Sequence, residues 1–347
     1  MLATVSRIRE AGRTLGRIAW SRFVSRAPLI LSHLVTGRCN CRCATCLWRD
    51  PAADELTTDE IARLYCDARR CGVLLNSIWG GEPLLRDDLP AIVRASKANR
   101  FQTIVITNAS LLSDRLDELA PCVDCFIVSI DAADRAGRIG SRHDEMRVMP
   151  GLFDRACTAI EETRRRYPRI KVIINTVLST LNRGQARPLV ELARDLGASI
   201  YLSPIETTYR TGPEDQPPKE PLALPPDELS GVFGELLALK RSGLPINNSP
   251  EYLRTFIGGK KPYVCASPVL CVTVGTGGDV YGCFMPGGKF GSVREQSLRD
   301  ILHQPHVRRM RRPTRCAICN NADVIDASNV YLLRPGPLLH YVRMYID

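Results

Sequence analysis

From residue 29 onward, short apolar runs alternate with longer stretches in which apolar residues recur every three to four positions. The runs are 29–36 (LILSHLVT), 74–79 (LLNSIW), 102–107 (QTIVIT), 124–130 (DCFIVSI), 170–177 (IKVIINTV) and 198–203 (ASIYLS), and each predicts a strand. The stretches between them predict helices over 57–71, 88–98, 112–119, 150–166 and 186–195. Thr57-Thr58-Asp59-Glu60 opens the first of these with a capping hydroxyl and first-turn acids together. Strands that alternate with helices imply βαβ units and parallel pairing. Six units predict an α/β fold, a partial (βα)6 barrel with its functional residues at the C-terminal strand ends.

The flanks differ from this middle. Residues 1–28 are Arg-rich, and Glu10 is the one acid before Asp50. At 100° per residue Val5, Ile8, Ala11, Leu15, Ile18 and Ala19 share one arc, with Arg9, Arg13 and Arg17 opposite. Such a helix suits peripheral contact with an anionic membrane surface, or packing against the main domain. A mitochondrial transit peptide has similar composition. Residues 29–203 form the barrel. Residues 204–261 hold Pro204, Pro213, Pro217, Pro218, Pro221, Pro225 and Pro226, which break regular structure and predict a linker or a loop over the barrel mouth, followed by a helix at about 226–241. Residues 262–325 are Cys- and Gly-rich, with a glycine-turn hairpin expected between Thr273 and Cys283. Residues 326–347 form an apolar and aromatic tail.

Composition narrows the function. The 347 residues suggest about two domains. Hydrophobic residues at 44% and charged residues at 24% are ordinary for a globular chain, and no apolar run reaches the roughly 18 residues of a membrane span. The 47 basic against 37 acidic side chains give +10, which favours anionic partners. Aromatics are only 6% and scattered, so no nucleic-acid partner is expected. Fourteen cysteines stand out. The start lacks a continuous hydrophobic region with a small-residue cleavage site, so a cytoplasmic protein that uses its thiols for metal is expected.

Cys39-Asn-Cys41-Arg-Cys43-Ala-Thr-Cys46 follows the first strand directly. A loop this short can turn several thiolates inward onto zinc or onto an iron–sulfur cluster. Cys39, Cys43 and Cys46 would supply three ligands, and three ligands on a cubane leave one iron open. The Cys-x3-Cys-x2-Cys loop after the first strand of a βα barrel resembles the signature of the radical SAM superfamily. That resemblance implies a [4Fe–4S] cluster on these three cysteines, with S-adenosylmethionine chelated to the open iron. It further implies reductive cleavage to a 5′-deoxyadenosyl radical that takes a hydrogen atom from a substrate, with the electron from a reducing protein such as flavodoxin or ferredoxin. Gly80, Gly81, Glu82 and Pro83 end the second strand as the family's GGEP segment does, where the methionine amino group is held. Asn108, in Thr107-Asn108, resembles the family's TNG-type segment. Ser129 and Asp131 resemble its SxD segment, and Arg147 the arginine that faces the cofactor carboxylate. Asn175, on the fifth strand, completes the implied SAM site. Thr45 stands where the family often places an aromatic residue, Trp48 follows two residues after the loop, and Cys41 lies outside the pattern.

Cys265, Gly278-x4-Cys283 and Cys316-x2-Cys319 resemble the SPASM/twitch extension of the same superfamily, in its shorter twitch form. The resemblance implies a second, auxiliary [4Fe–4S] cluster on Cys265, Cys283, Cys316 and Cys319. Four thiolates saturate a cubane, so such a cluster suits electron transfer and a net oxidation. Cys271 is too near Gly278 to serve as the first ligand. A zinc ribbon would want two CxxC knuckles, and this segment has one.

Glu206, Tyr201, Tyr209, Arg210 and His143 are expected near the barrel mouth, with Glu206 and Tyr209 as candidate catalytic bases for the proton lost on oxidation. The substrate is unknown: a small polar metabolite, a lipid-linked molecule or a peptide. No evident peptide-recognition domain precedes the barrel. The alternatives are a SPASM-type peptide-maturation enzyme and a non-catalytic iron–sulfur carrier or scaffold.

Overall fold

A computed structural model of the chain describes residues 2–50, 54–133, 142–207, 219–283 and 288–346. Helix α1 spans Leu2–Trp20, strand β1 Ile30–Thr36, α2 Thr58–Cys71, β2 Leu75–Gly80, α3 Leu89–Ala98 and β3 Gln102–Thr107. Next come α4 Leu112–Leu119, β4 Cys125–Ser129, α5 Arg142–Arg147, α6 Leu152–Arg166, β5 Lys171–Leu178, α7 Ala186–Asp195 and β6 Ser199–Pro204. The remainder holds α8 Pro226–Arg241, α9 Pro250–Arg254, β7 Tyr263–Cys265, α10 Ser267–Leu270, β8 Cys271–Val274, β9 Asp279–Tyr281 and β10 Lys289–Ser292. It ends with α11 Leu298–His303, α12 Pro305–Met310, β11 Thr314–Cys316, α13 Ala322–Tyr331 and α14 Pro335–Ile346. Helix α2 begins with the expected cap: the Thr57 side chain accepts from the Glu60 amide and the Glu60 side chain accepts from the Thr57 amide.

The main sheet has the order β10-β9-β8-β1-β2-β3-β4-β5-β6. Strands β1 to β6 pair in parallel and in sequence, as expected of a βα barrel. Its two faces differ in a way that the strand period dictates. Leu31, His33, Val35, Ile78, Val105, Ile174, Ile200 and Leu202 are buried, and His33 meets Tyr65 of α2 at 3.0 Å. The alternate residues Ser32, Ser77, Trp79, Ile104, Ile106, Ile173, Asn175 and Tyr201 are half-buried and line the inner face of the barrel.

The C-terminal part shows two features that no local pattern announces. The glycine-turn hairpin is present, with β8 antiparallel to β9, but it is not separate from the barrel. Strand β8 pairs in parallel with β1, Ile30 opposite Cys271, so the cysteine-rich segment extends the barrel sheet past its first strand. The short β-branched run Cys271-Val272-Thr273-Val274 buries Val272 and Val274 and can serve as an inner strand. The tail forms two helices. Helix α13 starts against β6, where the Ala322 amide donates to Ser203 Oγ at 3.2 Å, and continues past α10 and β7. It spans the side of the barrel that the parallel strands leave open.

At the N-terminus, α1 packs on α14. Ile18 is buried with Leu29, Val269, Leu270 and Tyr331, and Leu15 lies against this group. Arg17 donates to the Gly72 carbonyl at 3.1 Å. Among the described residues no helix is long and apolar enough to cross a membrane.

Candidate functional site

The Cys39–Cys46 loop leaves β1 at its C-terminal end and is fixed from several strand ends at once. The Gly81 amide donates to the Thr36 carbonyl at 2.7 Å and the Glu82 amide to the Arg38 carbonyl at 2.8 Å. Gly80 has φ +143°, and a Cβ there would lie 2.2 Å from the Thr36 carbonyl oxygen. A Cβ on Gly81 would lie 2.1 Å from that of Arg38. The two glycines are therefore needed for close packing of β2 against the stem of the cysteine loop itself. Helix α5 supports the loop from another side: the Arg42 and Ala44 amides donate to the Arg147 and Met146 carbonyls at 3.2 and 3.3 Å. The buried Lys219 donates to the Ala44 carbonyl at 2.8 Å.

Glu82 is fully buried and its carboxylate is already engaged. It accepts from Thr107 Oγ1 at 2.8 Å, the Asn108 amide at 2.7 Å and the Leu84 amide at 3.1 Å. Burial nevertheless pushes its carboxyl above the usual range. Pro83 opens the buried turn that follows. Asn108 reaches back to the loop, donating to Asn40 Oδ1 at 2.8 Å and to Cys41 Sγ at 3.3 Å. Glu82 and Asn108 thus tie strands β2 and β3 to the cysteine loop.

Asp131 and Arg147 form a buried ion pair at 2.8 Å, and Asp131 also accepts from the Val177 amide at 3.1 Å. His143, expected at the mouth, is buried instead, and its Nδ1 accepts from the Asp131 amide at 3.1 Å. Burial and the nearby Arg147 charge push its imidazole down to about 4. Ser129 and Asn175 are register partners at the inner face.

None of the fourteen cysteines is in a disulfide. In the first loop Cys39, Cys43 and Cys46 act on one another electrostatically. The buried Cys41 thiol bonds to both Cys39 and Cys43 and lowers their pKa. Cys43 sits at about 7, held there by Cys41 and Arg147 against the opposing effect of burial. Cys46 is pushed up by burial. Thiolates stabilised by a cation and a thiol donor are the donors that an iron–sulfur cluster requires, so the residues fit one. Beside the loop, Trp48 packs edge-on against Trp79 at 5.0 Å, and Trp79 donates to Ser32 Oγ at 2.7 Å.

The second set gathers from three separate places: β7, the segment after β9, and β11 with the turn that follows. Strand β7 pairs antiparallel with β11, Thr314 opposite Cys265 and Cys316 opposite Tyr263. Cys265 and Cys319 are buried. Burial raises Cys265 to about 11, and the charges of Cys283 and Cys316 act in the same direction. Cys271 feels Cys283 and Cys265, so it stands close to the set without belonging to the expected ligands. Cys283 and Cys316 act electrostatically on Cys265, and Cys319 meets Cys265 and Cys316 around Tyr263, a thiol-rich donor set that fits an iron–sulfur cluster. Among the described residues, no three His, Cys, Asp or Glu side chains converge as on one metal ion.

Glu206 lies at this second set. It accepts from the Asn320 amide and from the Cys319 thiol, and burial raises its pKa. Lys260 donates to Asn320 Oδ1 at 2.6 Å and to the Ile318 carbonyl. The turn 316–320 is thus clamped by an acid and a base. A cavity of about 370 Å³ adjoins it, lined by Pro204, Leu224, Phe256, Lys260 and Ile318. Tyr209 and Arg210 lie outside the described residues. Tyr201 faces the barrel interior, near Asp323 and Asp326 of α13. Sequence reasoning missed Trp79, Lys219, Tyr263 and this acidic pair; none sits in a motif, and only the strand period pointed Trp79 inward.

Comparison with known proteins gives two family matches. Residues 34–193 match the radical SAM superfamily and residues 265–321 an iron–sulfur cluster-binding domain named SPASM. The AdoMet-dependent heme synthase of Methanosarcina barkeri is 28% identical over 85% of this chain and 89% of its own length. GTP 3′,8-cyclase 1 of Mycobacterium tuberculosis is 31% identical over 48% of each chain, so this chain spans about half of that relative. PqqA peptide cyclase of Ruegeria pomeroyi is 31% identical over 50% of this chain and 46% of its own. Among solved structures, Streptococcus suis SuiB bound to its precursor peptide SuiA aligns with TM-score 0.65 and 16% identity, over 87% of this chain and 70% of that one. At that identity the likeness is one of fold.

Proposed function

The chain belongs to the radical SAM superfamily and carries a SPASM iron–sulfur domain, and from that premise we propose that it is an enzyme that oxidises its substrate on the inner face of the barrel, between two cysteine sites. The superfamily's [4Fe–4S] cluster with S-adenosylmethionine supplies hydrogen-atom abstraction when bound. Cys39, Cys43 and Cys46 would hold it. The observation that carries this reading is the Cys39–Cys46 loop at the C-terminal end of β1, fixed there by the Gly81 and Glu82 amides at the end of β2 and by the Arg147 carbonyl from α5.

The neighbouring residues have distinct tasks in this reading. Arg147, neutralised in part by Asp131, keeps positive charge beside the loop. Glu82 and Asn108 act as positioning residues, since their polar atoms are spent on the protein's own backbone and on Cys41. Gly80, Gly81 and Pro83 shape the β2 turn against the loop. Ser129 and Asn175 face inward and are free to orient bound cofactor or substrate. Trp48 and Trp79 offer an aromatic wall where Thr45 offers none.

Cys265, Cys283, Cys316 and Cys319 would hold an auxiliary cluster that takes the second electron of a two-electron oxidation. Glu206 positions the Cys319 turn in this reading and is near enough to take up a proton. The electron that starts the reaction comes from a reducing protein of the flavodoxin or ferredoxin class. The relatives' names span a heme, a nucleotide and a peptide, and the reading stops at the class of chemistry.

The test uses anaerobically reconstituted protein, reduced with dithionite in the presence of S-adenosylmethionine. Formation of 5′-deoxyadenosine is expected. A protein with its iron intact that forms none, alone or with cell extract as a source of substrate, is an electron carrier instead.

A further inference from the structure

Tyr263 is 94% buried, and its hydroxyl meets no nitrogen or oxygen partner among the described residues; the group within its reach is the Cys319 sulfur. A buried hydroxyl whose one available acceptor is a sulfur calls for an explanation. Its place in the fold supplies one. Tyr263 is directly opposite Cys316 in the β7–β11 pair, and Cys265 is two residues further along β7. Strand geometry puts all three side chains on the same face of this two-stranded sheet. The sulfurs of Cys319, Cys265 and Cys316 surround it, with Cys319 within hydrogen-bond reach. The phenol thus points into a ring of thiols that can accept a hydrogen bond. Lys260 and Glu206, also at this turn, are already committed, Lys260 to the Ile318 carbonyl and Asn320 and Glu206 to Asn320 and Cys319.

We propose that the Tyr263 hydroxyl is a positioning and tuning residue that donates to a sulfur of the auxiliary cluster and raises its reduction potential. This inference rests on the reading that the C-terminal cysteines hold a cluster. A hydrogen bond to sulfur withdraws electron density and stabilises the reduced form, which is a recognised determinant of iron–sulfur potentials. It makes the auxiliary cluster the better electron acceptor, in keeping with an oxidative reaction. The neutral phenol also satisfies a sulfur without adding charge to a buried site.

The experiment is a potentiometric titration of the fully loaded protein, followed by electron paramagnetic resonance. An auxiliary signal distinct from that of the first cluster must be present in the unaltered protein; its absence overturns the underlying reading and the inference with it. With that signal present, Tyr263→Phe is expected to lower the auxiliary midpoint so that the reduced-to-oxidised ratio at the original midpoint falls about tenfold, about 59 mV for one electron. The first cluster's midpoint should stay unchanged. If Tyr263→Phe does not load the cluster, site-specific 3-fluorotyrosine at position 263 keeps the shape and makes the hydroxyl a stronger donor, so the midpoint should rise. An unchanged auxiliary midpoint in whichever of these proteins carries the cluster overturns the inference.

Discussion

The two cysteine sites solve the same chemical problem by opposite means. The first is one contiguous loop, fixed at the end of β1 by residues of β2, β3 and α5. Two of its three ligand thiols are drawn toward the charged form, with Cys39 lowered and Cys43 at about 7, while burial pushes Cys46 up. The second is assembled from β7, the segment after β9, and β11 with the turn that follows. Its Cys265 thiol is pushed up to about 11, so the free site resists charge. A preformed loop with one ligand fewer suits exchange of a small molecule at an open position. A four-thiol site in which the buried Cys265 ionises on metal binding suits electron storage.

The sharpest break in this comparison is Cys43→Ser. It should reduce 5′-deoxyadenosine to the uncatalysed background while the C-terminal cluster still loads; a variant that still cleaves S-adenosylmethionine would contradict the first-site assignment. Cys319→Ser should do the reverse, with deoxyadenosine still formed and about half of the iron lost. Next in size is Arg147→Met, which leaves Asp131 charged and buried without its partner. About 3–5 kcal/mol of stability should be lost, read from denaturant midpoints of the cluster-free protein, and a change within error would mean that the pair does not anchor α5.

The smallest effect concerns Asp326, which accepts from the Ser249 amide and hydroxyl on the inner side of α13. Burial raises its carboxyl to about 7 from an ordinary 3.8. The folded state therefore binds the proton more tightly, and this contribution to stability is present below about pH 4 and is lost as pH rises towards 7. Asp326→Asn should match the original protein near pH 4 and exceed it by about 1–2 kcal/mol at pH 8, after allowance for partial exposure. Equal thermal stability at both pH values would show that the carboxyl is not held neutral.

Local patterns made the barrel legible. All six strands and the five helices expected between them fall within a residue or two of their expected bounds, because each apolar run is short and each helix periodic; the short α5 was not expected. The cysteine spacings were legible for the same reason, since they lie in local motifs. Pairings between distant segments were not. Nothing in Cys271-Val272-Thr273-Val274 announces that it pairs with β1 and so extends the barrel sheet. The same limit hid Tyr263, whose meaning depends on its register with Cys316. Glu82 was expected to face the cofactor from its motif, but its carboxylate is spent on Thr107, Asn108 and Leu84, partners on its own turn and the next strand end. Glu206 likewise turned toward Asn320, far along the chain.

The central claim is that the chain holds two clusters on separate ligand sets. It is tested most directly by counting iron and acid-labile sulfide in the anaerobically reconstituted protein and in Cys43→Ser and Cys319→Ser. About eight irons are expected in the first and about four in each variant, one cubane remaining in either case. About four irons in the unaltered protein, with loss of all of them in Cys43→Ser and none in Cys319→Ser, would remove the auxiliary site and with it the oxidative reading.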